Sequence, residues 1–194
     1  MLASNTESFD RWNQALLNAP TTGASAATAS QDNLPAGLAS SHQMAQTDLF
    51  QIHSLIQCFR NVGKKYDIPP AFLAALASRE SRCGAALDAT GFGDGGNAFG
   101  IMQVDKRYHD IRGTSNPVSL EHLEQAAEIV VNFRKQVKAN HLDWEDAFVL
   151  KGTAVAYNSG VSNVQTKAGM DLGTTGNDYG SDVIARAQFY TNYV

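Results

Sequence analysis

The sequence predicts a mostly helical fold in which any β-sheet is small. Apolar residues recur at three- and four-residue steps along much of the chain, which is the spacing of one face of a helix. No long stretch shows the alternation of Val, Ile or Thr with polar residues that is typical of large sheets. The length of 194 residues is enough for one domain with a substantial hydrophobic core.

The N-terminal part is expected to be less regular than the rest. Residues 1–19 are predicted to form a short helix or a variable tail, and residues 20–194 a single domain. Within that domain, residues 20–41 are small, polar and rich in turn formers. This composition indicates an extended or loosely helical arm.

Regular helical periodicity begins at Asp48. One apolar stripe is formed by Leu49, Ile52, Ile56, Phe59 and Val62. A second helix is predicted to follow, because Pro69 and Pro70 suit the first turn of a helix. Residues 71–77 (AFLAALA) are apolar on every side, which indicates a buried central helix.

Three further helices are predicted towards the C-terminus. After Asn116 and Pro117, helical spacing connects Leu120, Leu123, Ala127, Val130, Phe133 and Val137. Residues 144–157 also have a helical pattern, which breaks near Gly160. The last helix carries Tyr179, Val183, Ala187, Tyr190 and Val194 on one face. Residues 84–100 contain six glycines, which excludes a regular helix there.

Charge and motif content exclude several classes of function. The chain has 15 basic and 19 acidic residues, a net charge of −4, whereas a general nucleic-acid binder needs a basic face. No apolar run approaches the roughly 20 residues that span a bilayer. Residues 91–96 match G-x-G-x-x-G, but a dinucleotide site requires a preceding strand and a helix is predicted instead. The five histidines lack metal-ligand spacing, so neither a metal nor a cofactor is expected.

The two cysteines, Cys58 and Cys83, leave two interpretations open. They can form neither a disulfide framework nor a zinc cage, so they are either core thiols or one bridge. Residues 1–17 have neither the basic nor the apolar region of a signal peptide. We expect an extracellular protein whose leader is absent or removed, with a leaderless intracellular form as the alternative.

Glu80 is a candidate catalytic residue because it ends the apolar helix. A covered helix end raises the pKa of a carboxyl group through desolvation and through the partial negative charge of the helix C-terminus. A Glu that stays protonated near neutral pH is suited to general-acid catalysis. The alternative is a surface residue paired with Arg79 or Arg82.

Two aspartates in and after the glycine-rich segment are the next candidates. Asp94 lies within GFGDGGN, and Asp105 follows the largely apolar run FGIMQV. An inverting glycosidase needs an acid on one face of the sugar and a carboxylate-held water on the other. Glu80 and these aspartates would supply both, whereas the alternative is a flexible loop with ordinary turn residues.

Residues 156–160 (AYNSG) form a candidate sugar-binding segment at the end of a predicted helix. Tyr157 offers a stacking face with a polar tip, and Asn158 offers both a donor and an acceptor. Together they suit a sugar that carries an N-acetyl group. A core tyrosine and a helix-capping asparagine are the alternative.

Taken together, these segments resemble goose-type (g-type) lysozyme over residues 20–194. The resemblance is carried, in chain order, by TTGAS at 21–25, SRES at 78–81, GDGGNAFGIMQVDKRYH at 93–109, LKGTAVAYNSG at 150–160 and GTTGNDYGSDVIARAQFY at 173–190. Short pieces such as GIMQ and AYNSG also occur in lytic transglycosylases. The VDKR run, the ARAQFY end and the full order are specific to the g-type group.

The resemblance implies an α+β, mostly helical, lysozyme-like fold with a buried central helix, a small sheet and a substrate cleft. It implies hydrolysis of the β-1,4 bond between N-acetylmuramic acid and N-acetylglucosamine in bacterial peptidoglycan. Glu80 is then similar to the family's general acid, and Asp94 and Asp105 to the pair that holds the attacking water, with inversion at the anomeric carbon. The residues implied to line the sugar subsites are Gln103, His109, Tyr157, Asn158 and Tyr179.

The resemblance also implies the partners. These are peptidoglycan and N-acetylglucosamine oligosaccharides, with a proteinaceous lysozyme inhibitor as a candidate, for a monomer that binds no nucleic acid and no membrane. Secreted vertebrate members carry four cysteines in two bridges, and this chain lacks cysteines at those positions. Two other functions stay open: a lytic transglycosylase, which needs no water-holding aspartate, and a non-catalytic peptidoglycan-binding protein.

Overall fold

The computed structural model describes residues 2–194, and their side chains from residue 7 onward. Its helices are α1 (Leu2–Asn18), α2 (Ala26–Ala29), α3 (Leu38–Thr47), α4 (Leu49–Tyr66), α5 (Pro70–Ser81), α6 (Leu120–Asn140), α7 (Asp146–Ser159) and α8 (Tyr179–Tyr190). Its strands are β1 (Phe92–Gly93), β2 (Ala98–Phe99) and β3 (Val104–Asp105). The predicted mostly helical α+β fold is therefore confirmed.

The central helix α5 is buried along most of its length, as its composition predicts. Pro70 opens the helix, where its missing N–H leaves no hydrogen bond unmade. Residues 71–78 are each at most 3% exposed, and the helix packs against α4 and α8. Directly after it, Arg82 and Cys83 adopt left-handed backbone angles (φ 54° and 53°), so the helix cannot continue. The chain turns away just past Glu80 and leaves this side chain at the end of a buried helix.

The other predicted helices are confirmed, with small changes at their ends. Helix α7 begins at Asp146 rather than Trp144, because Glu145 is extended and precedes the first helical turn. Helix α8 ends at Tyr190 rather than Val194. The chain then tightens into a turn in which the backbone N–H of Tyr193 donates to the carbonyl of Tyr190 at 2.8 Å.

Helix α3 lies partly in the segment that the sequence predicts to be an irregular arm. Its buried residues, Ser40, Ser41, Met44 and Ala45, are mostly small or polar, so no apolar stripe marks the helix in the sequence. It packs against α8, and this tertiary contact supplies the burial that local composition does not. At the N-terminus, α1 places Trp12 and Leu16 in the main core and packs against α7.

The sheet is as small as predicted. Its order is β1-β2-β3, both pairings are antiparallel, and each strand has two residues. Strands this short carry no alternation that a sequence pattern could reveal. The sheet lies between α5 and α6 in the chain; it contains Asp105, and Asp94 directly follows β1.

The two cysteine thiols are free rather than bridged. Cys83 is buried, and Cys58 is partly buried. In the described part of the chain, no helix is both long and apolar enough to cross a membrane. Among the same residues, no cluster of three or more His, Cys, Asp or Glu side chains has the arrangement of a metal site.

Candidate active site

Glu80 lies in the last turn of α5 with its carboxyl group in a desolvated setting. Burial raises its pKa from 4.5 to about 7; the hydrogen bond from Tyr179 and the charge of Arg79 oppose this rise, and the charge of Asp94 adds to it. The Tyr179 hydroxyl donates this hydrogen bond to Oε1 of Glu80. Part of Glu80 remains accessible to solvent. This combination of a raised pKa and access from outside suits a proton donor.

The two neighbouring arginines are engaged elsewhere. Arg79 forms ion pairs with Asp178 at 3.0 Å and with Asp182 at 2.6 Å. Arg82 forms ion pairs with Asp32 at 2.8 Å and with Asp48 at 2.7 Å. The alternative of a surface glutamate paired with its neighbours is therefore not what the structure shows.

Arg79 connects the end of α5 to the start of α8. Its side chain is only 7% exposed and reaches Asp178 and Asp182, and its guanidinium carbon lies 5.3 Å from the centre of the Tyr179 ring. Because Asp178 directly precedes Tyr179, this arginine supports the residue whose hydroxyl binds Glu80. No sequence pattern indicated this role, since the two acceptors lie about a hundred positions further along the chain.

The small sheet brings Asp94 and Asp105 to the same region. Across the three strands, Gly93 pairs with Ala98, and Ala98 pairs with Asp105. Asp94 directly follows Gly93 and has a left-handed backbone angle (φ 48°), with a side chain that is 62% exposed. The side chain of Asp105 is 24% exposed. The two carboxylates are therefore brought to one region by strand pairing and not by being neighbours in the sequence.

Arg107 links the two aspartates, although the sequence did not assign it to the site. Its Nη2 lies 2.6 Å from Oδ2 of Asp105 and 3.5 Å from Oδ2 of Asp94. The hydrogen bonds from Arg107 are the main cause that lowers the pKa of Asp105. An ionised carboxylate is an acceptor only, which is the form needed to orient a water molecule. The one sequence feature that pointed to a contact between Arg107 and Asp105 is that the arginine follows the aspartate by two positions.

Gln103 is held in the turn between β2 and β3. Its backbone is left-handed (φ 48°), and its Nε2 donates to the carbonyl of Gly100 at 2.9 Å. The side-chain amide lies directly over Gly93, where an added Cβ would come within 2.2 Å of Oε1. A side chain at position 93 would therefore displace the Gln103 amide, which stays partly accessible.

The remaining candidate residues take different positions. The Tyr157 hydroxyl donates to the carbonyl of Met102 at 2.8 Å. Both polar atoms of the Asn158 side chain are bound within the protein, since Nδ2 donates to Oγ1 of Thr175 and Oδ1 accepts from the backbone N–H of Thr175. The backbone N–H of His109 donates to the carbonyl of Asp105 at 3.1 Å, and its side chain is partly exposed. Tyr179 is only 2% exposed and meets the site through its bond to Glu80.

Comparison with known proteins gives one matching family model and several similar proteins. The family model described as Lysozyme g matches residues 15–193. A lysozyme g of Takifugu rubripes is 44% identical over 175 residues, which cover 88% of this chain and 92% of the relative. A lysozyme g of Casuarius casuarius is 43% identical over 174 residues, with 89% and 92% covered. A glycine, glutamate and proline-rich protein of Lottia gigantea is 46% identical over 176 residues, and the match spans 42% of that longer protein.

Proposed function

This chain belongs to the lysozyme g family, a group of bacteriolytic glycoside hydrolases that act on peptidoglycan, and from that premise we propose how its residues carry out the reaction. Glu80 is the general acid that protonates the leaving oxygen of the β-1,4 bond between N-acetylmuramic acid and N-acetylglucosamine. The observation that carries this proposal is the desolvated Glu80 carboxyl group, whose pKa is raised by burial to about 7 and which accepts a hydrogen bond from Tyr179.

Asp94 and Asp105 position the water that attacks the anomeric carbon. Both carboxylates belong to the sheet and its turn, and Glu80 belongs to α5, so acid and base come from separate elements. The hydrogen bonds from Arg107, and then its charge, favour the ionised form of Asp105, as a water-holding base requires. Attack by a separately held water displaces the leaving sugar from the opposite face, so the configuration at the anomeric carbon inverts.

The first test is the identity of the products. We expect chito-oligosaccharide cleavage to give the α-anomer first, observed by proton NMR on fresh products, because inversion of a β bond produces an α hydroxyl. Mass spectrometry of cleaved walls should show hydrated muramic ends. Initial β-anomer would contradict the water-holding role of the two aspartates. Anhydro-muramic ends, lighter by one water, would indicate a lytic transglycosylase instead.

The second test uses the pH dependence of kcat/KM. In the wild type we expect activity to fall above a pH of about 7, where Glu80 loses its proton. The hydrogen bond from Tyr179 favours the carboxylate, so Tyr179→Phe should move this fall to higher pH. Tyr66→Phe is the matched control, because Tyr66 donates to the exposed Glu128 at 2.9 Å. A profile that stays in place or moves to lower pH in Tyr179→Phe would contradict the assignment.

The sugar contacts are part of the same proposal. Gln103, His109 and Tyr157 are partly accessible and are the residues that we place against bound N-acetylglucosamine units. Asn158, which is also partly accessible, and Tyr179 complete the proposed sugar-binding set; the Asn158 side chain is bonded to Thr175, and the Tyr179 hydroxyl to Glu80. Glu80 as the acid and Asp94 and Asp105 as the water-holding pair together provide the side chains that the proposed hydrolysis needs.

Partners and location complete the proposal. We propose a monomer in which residues 20–194 are the lysozyme domain and a variable segment precedes it. The exposed Asp94 and Arg107 leave the cleft open to a proteinaceous lysozyme inhibitor. Because peptidoglycan lies outside the bacterial membrane, we place the activity in the extracellular space.

A further inference from the structure

One buried histidine near the site has no part in the proposed reaction. His122 lies in the first turn of α6 and is completely buried. Its backbone N–H donates to the hydroxyl of Ser119, the residue that caps the helix, at 3.2 Å. The start of α6 is thus anchored with the imidazole ring turned towards the sheet.

The ring of His122 supports the turn that joins β2 to β3. Its Nε2 accepts a hydrogen bond from the backbone N–H of Met102 at 3.2 Å. The ring meets Phe99 edge-on, with centroids 5.5 Å apart. It also lies against Gly100, where an added Cβ would come within 2.3 Å of Nε2. The turn therefore follows the surface of this imidazole closely.

The backbone of Met102 is held at both of its polar groups. Its N–H donates to His122, and its carbonyl accepts the Tyr157 hydroxyl at 2.8 Å. The next residue is Gln103, whose left-handed backbone places its amide over Gly93. A shift of the Met102 backbone would consequently move Gln103, one of the residues proposed to contact the sugar.

The hydrogen bond from Met102 requires a neutral imidazole. Since Nε2 accepts, the proton must reside on Nδ1, and this buried atom has no partner among the described residues. Burial, with no charged group contributing, lowers the pKa of His122 to about 4. A phenylalanine would fill a similar volume without the unpaired N–H, so the contact that favours a histidine here is the bond to Met102.

We infer that His122 is a positioning residue that holds the turn of residues 100–103, and with it Gln103, in the geometry that binds N-acetylglucosamine units. The inference rests on the proposed function only in taking Gln103 as a sugar contact. It concerns substrate affinity rather than proton transfer, so affinity and catalysis can be tested separately.

The test compares His122→Phe with His122→Gln. Phenylalanine keeps the bulk and removes the acceptor, whereas the Gln carbonyl lies the same number of bonds from Cβ as Nε2 and can accept from Met102. We expect His122→Phe to raise the Kd for N-acetylglucosamine hexasaccharide about tenfold, with KM rising in parallel and kcat nearly unchanged. His122→Gln should restore most of the affinity.

Two controls isolate the effect of the bond between His122 and Met102. His141→Phe removes a histidine whose Nε2 bonds the carbonyl of Val164 at the far end of α6, and it should leave the Kd unchanged. Calorimetric Kd values measured in a Glu80→Gln background need no turnover. The measured Kd values therefore test the inference even if Glu80 is not the general acid.

Two results would overturn the inference. One is a folded His122→Phe variant whose Kd equals that of the wild type. The other, which needs no variant and applies even if His122→Phe does not fold, comes from ¹⁵N NMR of the wild type. There we expect an unprotonated Nε2 at neutral pH, and a proton on Nε2 would rule out the bond to Met102 on which the inference depends.

Discussion

Replacing Glu80 with Gln is expected to lower kcat/KM for wall lysis by about 10²- to 10⁴-fold, the usual contribution of a general acid. Gln has nearly the same shape and still accepts the hydrogen bond from Tyr179, but it has no proton to deliver at a useful pKa. Lysis of a cell-wall suspension is the measurement, and Glu124→Gln, at a partly exposed residue paired with Lys65, is the matched control. Activity within twofold of the wild type would exclude Glu80 as the acid.

The same variant should also change stability in a pH-dependent way. The pKa of Glu80 is about 7 in the folded protein against 4.5 as its ordinary value, so the folded state binds this proton more tightly. The stability that protonated Glu80 contributes is complete below pH 4.5 and is lost as the pH rises through 7.

At pH 8, Glu80→Gln should therefore be more stable than the wild type by roughly 1–3 kcal/mol, with little difference at about pH 4. Urea unfolding at the two pH values measures this change. An effect of the same size at both would show that burial does not raise the pKa of this carboxyl group.

Removal of the Asp182 carboxylate should have the largest effect on stability. Asp182 is completely buried and accepts hydrogen bonds from Arg79 at 2.6 Å, from Arg186 at 2.9 Å and from Ser41 at 2.6 Å. The charges of Arg186 and Arg79 hold its pKa below the usual range despite its burial. Asp182→Ala leaves two buried guanidinium groups without this partner, which should reduce the free energy of unfolding by about 3–5 kcal/mol.

A matched control separates burial from charge pairing itself. Asp146 also forms ion pairs with two basic side chains, Arg11 and Lys138, but near the surface. Asp146→Ala should reduce the free energy of unfolding by ~1 kcal/mol or less, because exposed ion pairs contribute little. Urea unfolding of both variants is the measurement. Equal losses would mean that the buried network around Asp182 has no special role in holding α8.

The Asp182 variant should also affect the active site, because Arg79 supports Tyr179. Where Asp182→Ala remains folded, its alkaline loss of activity should move to higher pH, as in Tyr179→Phe, since the hydroxyl that bonds Glu80 is less well held. Asp182→Asn keeps the volume and an acceptor oxygen and should lose less stability. Comparing the stability lost in Asp182→Asn with that lost in Asp182→Ala separates the effect of the lost charge from that of the lost contact.

Much of the helical fold could be predicted because burial of a helix leaves a periodic pattern. The apolar residues of 71–77 and the stripe along α4 identify their helices without any tertiary information. Helix α3 has no such pattern, since serine and alanine form most of its buried face. The strands contain two residues each, too few for an alternation to appear.

The catalytic candidates could be named from the sequence, and their supporting residues could not. Glu80 was identifiable because it ends an apolar helix, where desolvation raises the pKa of a carboxyl group. The partners of Arg79, Arg107 and His122 depend on which elements meet in the fold. A charged or polar side chain looks the same in a sequence whether it faces solvent or a buried partner.

By itself, the sequence determined the helical class, the buried central helix, the family and the three candidate carboxylates, because each of these depends on local composition or on ordered motifs. Only the tertiary structure decided that Asp94 and Asp105 lie across one strand, that Tyr179 bonds Glu80, and that both cysteines are free. The physical reason is that a pKa, an ion pair or a hydrogen bond depends on distances between residues far apart in the chain. Those distances are set by how the helices and the small sheet pack.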